Sequence, residues 1–117
     1  MMLFKSKEEH DLYTAQTISN LANEEKVFAI DKYPQFHSTH EAYAVMLEEL
    51  EETIEALEIV KNNIEVLWKM TRRNYPNEQV KQQLEKIAFE CKQLSSESIQ
   101  VYAVALKAIE QLGGKHD

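Results

Sequence analysis

The stretch Glu48-Glu49-Leu50-Glu51-Glu52-Thr53-Ile54-Glu55 crowds carboxylates into eight residues. Each residue turns a helix by about 100°. Glu49 and Glu52, three apart, therefore share a face and can reach one ligand. Two like charges so close repel unless a cation lies between them. A hard divalent ion supplies that cation, and Mg²⁺ takes carboxylate oxygens together with waters and phosphate oxygens. Ala42, Val45, Ala56 and Ile59 fall on the same rough face, so the two acids interrupt an apolar or small stripe. Acids inside such a stripe are costly unless paired or metal-bound. Glu51, Glu55, Glu58, Asn62 and Glu65 lie on a plainly polar face, where solvation accounts for them. A solvated acidic face is also the alternative reading of the Glu49–Glu52 pair.

Glu97 and Gln100 form a second candidate pair, again three apart. One carboxylate and one amide oxygen can face the first pair across a helical bundle, where inward-projecting carboxylates build metal sites. The alternative is that Glu97 favours the N-terminal turn of a helix starting near Ser95. Other chemistry-bearing residues carry weaker patterns. His37 and His40 flank a helix start. Cys91 has no neighbouring cysteine, and a buried helix thiol is the default for it. Trp68, with Leu67 and Met70, reads as core or interface. Lys69, Arg72 and Arg73 suit either phosphate binding or the C-terminal end of a helix. No Gly-rich phosphate loop exists.

The elements that must position these groups are helices. Ser6-Lys7-Glu8-Glu9 has the form of a capping box, and Leu12, Ala15, Ile18 and Ala22 follow at helical spacing. This predicts a first helix to about Asn23, with Lys26–Ile30 either extending it or forming a separate piece. Asp31-Lys32-Tyr33-Pro34 is a breaker, since proline biases the preceding residue away from helix. Ser38-Thr39-His40-Glu41 is a second capping box and opens a helix through about Arg73. Leu47, Leu50, Ile54, Leu57, Ile64 and Leu67 mark one stripe of that helix. Tyr75-Pro76-Asn77 ends it and starts a third segment to Leu112, with Gly113-Gly114 as the stop. Ser95-Ser96 is a candidate kink. From Ile99 to Ile109 the third segment is apolar nearly all round. Burying it on most sides exceeds what so short a chain can do alone, which predicts an oligomer. Short loops imply antiparallel neighbours.

The 117 residues bound one domain and one core. With 44% hydrophobic and 28% charged residues and two Gly and two Pro, the composition is globular and helix-rich. The longest apolar run, Val101–Leu106, is too short to span a bilayer, and the N-terminus lacks a signal-length apolar stretch. A single cysteine fits the cytoplasm. A net charge of −7 with scattered basic residues argues against a nucleic-acid partner.

The segment Phe36 to Glu52 resembles the entry to the catalytic helix of MazG-like proteins, of the all-α nucleoside triphosphate pyrophosphohydrolase superfamily. The likeness is to small phage and prophage members. The family motif is Glu-Glu-x-x-Glu followed downstream by Glu-x-x-Asp. Glu48, Glu49 and Glu52 match the first part, and Glu97-Ser98-Ile99-Gln100 resembles the second. The resemblance covers most of the chain from Phe36 onward. It implies Mg²⁺ (or Mn²⁺) held by Glu49, Glu52 and Glu97, with Gln100 in the fourth ligand position and Glu48 as an auxiliary ligand or base. Cleavage would fall between the α and β phosphates of a nucleoside triphosphate. The fold it implies is a helical bundle completed as a homodimer or homotetramer. Gln100 stands where the family usually has Asp, which removes one negative charge. The gap between the half-motifs, Lys61 to Ser96, is also long. The expectation is thus an all-α antiparallel bundle of two long helices and a shorter N-terminal one. The alternative function is an inactive helical oligomer serving as an interaction module.

Overall fold

The computed structural model describes residues 4–32 and 35–113. It is an all-α bundle of three helices, α1 (Lys7–Lys32), α2 (Thr39–Arg72) and α3 (Asn77–Gly113). No strand occurs among the described residues. The helices are 26, 34 and 37 residues long, so the N-terminal helix is the shortest, as expected. α1 continues without a break past Asn23 to Lys32, so Lys26–Ile30 extends it. α3 runs through Ser95-Ser96 unsplit, and the Ser98 hydroxyl donates to the Ser95 carbonyl at 2.8 Å within the helical turn. The predicted breaker at Tyr33-Pro34 and the second glycine of the stop lie outside the described residues.

Both predicted caps form. The Ser6 hydroxyl accepts the Glu9 amide at 3.1 Å, and the Ser38 hydroxyl accepts the Glu41 amide at 3.2 Å. Each satisfies one of the orphan donors of its first turn. The reciprocal half differs at Ser6: the Glu9 carboxylate accepts from the Lys5 amide at 3.3 Å.

The chain divides into two compact units. The first comprises residues up to Val45 with Ile99 onward. Its core is Ala22, Phe36, Ala42, Ala103 and Val104. Small residues let α1 approach α3, and the Ser19 and Tyr102 hydroxyls meet at 3.2 Å. Lys26 pairs with Glu110 at 3.0 Å. Phe36 is fixed from both sides: its amide donates to the Gln111 side chain at 2.8 Å, and Lys107 Nζ lies 4.1 Å from its ring centroid. Lys107 is buried within the half of α3 that reads as apolar, and burial pushes its ammonium below the usual lysine range, opposed by Glu41. That half is less enclosed than its composition suggests, with Ile109 65% exposed.

The second unit, Met46–Ser98, is an antiparallel hairpin of α2 and α3. Its turn is a Schellman motif. The Tyr75 amide bonds the Met70 carbonyl at 3.1 Å, and the Asn74 amide bonds that of Thr71 at 3.1 Å. Asn74 holds the left-handed position with φ 53°. Pro76 then opens α3, its carbonyl accepting from Val80 at 3.2 Å.

The seam of this hairpin differs from the stripe read in the sequence. The inward residues of α2 are Met46, Glu49, Thr53, Ala56, Val60, Asn63, Leu67 and Met70; those of α3 are Val80, Gln83, Ile87, Glu90, Leu94 and Glu97. Both follow the alternating three–four spacing of coiled-coil contact. Leu47, Leu50, Ile54, Leu57 and Ile64 are 38–49% exposed, and of the predicted stripe Leu67 belongs to the seam. The physical reason is size and shape: close helix approach is filled by Ala56, Val60 and Thr53, leaving the bulkier stripe one residue further round. Asn63 sits buried in the seam, where Gln83 Nε2 donates to its carbonyl at 2.8 Å. That bond fixes which residues of α2 and α3 face each other. Cys91, expected buried, is exposed, because it falls outside the α3 seam.

The left-handed position at Asn74 gives a direct test. A Cβ without a compensating side-chain amide costs about 1 kcal/mol there, whereas glycine has no such penalty. Asn74→Ala is expected to lower the urea midpoint accordingly and Asn74→Gly to leave it unchanged or raise it.

Candidate metal centre

Glu49 and Glu52 occupy successive turns of α2 in the hairpin, and Glu97 comes to them from antiparallel α3. One carboxylate oxygen from each of the three lies within 4.8 Å of the other two. Glu49 and Glu97 are half-buried and Glu52 is exposed. Three of the five residues singled out in the sequence are thus brought together. Glu48 is exposed and outside this cluster. Gln100 is half-buried, one turn beyond Glu97 on α3.

The sequence explains the local placement. Ala56, one turn after Glu52, is buried, and this small residue keeps α2 and α3 close enough for acids from both to converge. Thr53 turns its hydroxyl to the Glu49 carbonyl at 3.0 Å, so it satisfies itself within its own helix.

The electrostatics follow from the geometry. Glu97 has its carboxyl raised above the ordinary range, first by burial, then by the Glu52 charge, then by a side-chain hydrogen bond with Glu52. Two carboxyl groups can hydrogen-bond only if they share a proton. A divalent cation can replace that proton and stabilise all three anions together. The donor set fits such an ion: oxygen ligands from two rigid helices, with no sulfur or imidazole among them.

Beside the cluster is an open hollow of about 390 Å³. Glu52, Glu55, Glu90 and Glu97 supply its acids, with Gln93, and Ala56 and Ile59 form its apolar wall. Glu90 escaped the sequence reading. Its signal was spacing: it precedes Glu97 by one heptad and so shares its face. Glu55 also lines the hollow, although it was assigned to the solvated face. No lysine or arginine lines this hollow among the described residues. The cations Lys69 and Arg72 lie in the last turn of α2, where Arg72 stacks on Trp68 at 5.6 Å, and Arg73 follows just beyond it. His37 and His40 are exposed at the start of α2, apart from the cluster.

Protonation should report this arrangement. A carboxyl whose pKa is raised on folding adds stability that is complete below the unfolded value and is lost as pH rises through the folded value. In chelator-treated protein, stability is expected to fall as pH rises upward from the ordinary carboxylate value of 4.5. Glu97→Gln should make that fall shallower, measured by urea unfolding across the pH range. An unchanged slope in Glu97→Gln would contradict the assigned origin.

Comparison with known proteins assigns no family: no family model matches the chain, and neither a curated protein nor a solved structure matches it.

Proposed function

We propose that the chain is a Mg²⁺-dependent nucleoside triphosphate pyrophosphohydrolase-like protein, converting a ribo- or deoxyribonucleoside triphosphate to its monophosphate and pyrophosphate. The observation that carries this reading is the convergence of Glu49, Glu52 and Glu97 within 4.8 Å, from the two half-motifs that resemble the MazG-like pattern. The half-motifs are separated by 44 residues of sequence between Glu52 and Glu97, yet their acids meet.

Glu49, Glu52 and Glu97 would hold the cation, with Mn²⁺ as a substitute. When bound there, the cation supplies positive charge for phosphate oxygens and lowers the pKa of a coordinated water. The acids of α2 and α3 hold that position from rigid helices. Because carboxylates dominate the hollow, a triphosphate finds no lysine or arginine there among the described residues, and its recognition would depend on the metal. Glu48, exposed next to Glu49, would serve as an auxiliary ligand or as the base that takes a proton from water. Water adds to the α phosphorus, and the bond to the β-phosphate oxygen breaks, releasing pyrophosphate. In this reading the protein acts in the cytoplasm as a homo-oligomer. That placement agrees with two observations: among the described residues no helix is long and apolar enough to cross a membrane, and Cys91 is a free thiol.

Gln100 favours a second reading, an inactive relative acting as a helical interaction module. An amide in place of the family carboxylate leaves the site one negative charge short, and a weaker site holds a metal–triphosphate less well.

Pyrophosphate release from a panel of nucleoside and deoxynucleoside triphosphates, with and without Mg²⁺ or Mn²⁺, separates the two. Metal-dependent release is expected, and Glu49→Ala should lower it by about 100-fold or more, given that losing even outer-shell partners costs 10–100-fold. Absence of release from folded protein would leave the module. Metal binding has its own readout: at a hundredfold excess over its dissociation constant Mg²⁺ should stabilise the fold by about 2.7 kcal/mol. The melting rise should disappear in Glu49→Ala.

A further inference from the structure

Each helix of the hairpin carries a second row, one residue beyond its inward one. On α2 the row is Leu47, Leu50, Ile54, Leu57, Ile64 and Trp68, interrupted once by Lys61. On α3 it includes Leu84, Ala88, Cys91 and Ser95. Seen from one end, antiparallel helices wind in opposite senses, so the two rows flank the seam on the same side. The acidic hollow lies on the other side, since Glu52, Glu55, Ile59 and Gln93 each precede an inward residue. The six apolar residues of the α2 row are 38–60% exposed and extend over about 31 Å of helix. In the α3 row Leu84 is 48% exposed, and its companions Ala88, Cys91 and Ser95 are small and exposed. A tall apolar ridge on α2 therefore stands beside a shallow channel over α3. That is the shape into which a third helix lays its apolar face.

We propose that this groove takes up an amphipathic helix of another protein, one with leucine-sized residues at three–four spacing and Lys or Arg at every seventh position along one shoulder. Shape sets the apolar requirement, and charge sets the shoulder. Glu51, Glu58 and Glu65 border the α2 row on its outer side, all exposed. They are seven residues apart, about 10.5 Å along the helix, which is the repeat of one shoulder of a helix lying alongside. The next position of that border, Arg72, lies beyond Trp68. The α3 border is mixed, with Glu85 between Lys81 and Lys92, so the acidic rail of α2 sets the preference. A second copy of the chain is a poor occupant, because a two-fold contact on this face brings its own Glu51, Glu58 and Glu65 against these. An anionic membrane is a poor one too, since membrane-lying helices place Lys and Arg beside their apolar face. The inference rests neither on nucleotide chemistry nor on self-association.

Cys91 supplies the readout. It is the single cysteine of the chain and lies exposed in the α3 row, so its reaction with Ellman's reagent reports occupancy of this face. The probe is a synthetic helix of about 21 residues, enough to cover about 31 Å, with Leu on its apolar face and Lys along one shoulder. Saturating peptide is expected to slow the reaction of Cys91 in the full chain by at least about tenfold, since the thiol reacts only where it is accessible. The same peptide with Glu in place of Lys should bind at least about tenfold more weakly. Glu51→Lys, Glu58→Lys and Glu65→Lys together should exchange that preference, with helicity by circular dichroism retained because all three are exposed. Absence of saturable binding, binding of the Lys peptide that leaves Cys91 as reactive as before, or equal binding of the two peptides would each overturn the proposal. Protection of Cys91 by raising the concentration of the chain alone would overturn it as well, and would give the face to a second copy.

Discussion

The close approach of α2 and α3 between Met46 and Ser98 is the constraint on which the site depends. Small side chains in the seam, Ala56 and Thr53 above all, permit that approach, and the Asn63–Gln83 bond sets its register at 2.8 Å. The Asn74 turn holds the helices antiparallel. A shift of α3 by one residue would turn its seam residues about 100° away from α2 and carry Glu97 off with them. The position of one carboxylate is therefore fixed by a polar bond two turns from the hairpin's end.

The same seam carries a stored cost. An acid at an inward position repels its neighbours and loses water, and the raised carboxyl of Glu97 registers both effects. Proteins retain such arrangements where a ligand repays them. The acids of the adjoining hollow, Glu55 and Glu90, extend negative potential beyond the three that converge. Such a surface attracts cations and repels free phosphates.

The other unit uses a different device. Lys107 lies buried in the apolar half of α3 and is countered by the Phe36 ring and the Glu41 charge. Phe36 closes over it and is itself bonded to Gln111. This ties the chain entering α2 to the end of α3 through one aromatic ring, so the start of α2 is anchored by side-chain contacts as well as by its Ser38 cap.

Local signals in the sequence determined the helices, because capping boxes, the Tyr75-Pro76 turn and the scarcity of Gly and Pro act within a few residues. They also marked Glu49, Glu52 and Glu97 as candidates. What the sequence left undecided was which of two adjacent stripes on α2 would face α3. Hydrophobicity favoured Leu47, Leu50, Ile54 and Leu57, and the structure turned those outward. Steric fit between two helices, which no single helix contains, chose the smaller residues instead. For the same reason Glu90 and the exposed thiol of Cys91 were hidden, since both depend on the register of α3. The meeting of three acids separated by dozens of residues was likewise decided by tertiary structure alone, because a hairpin's register is a property of the pair of helices and of the turn between them.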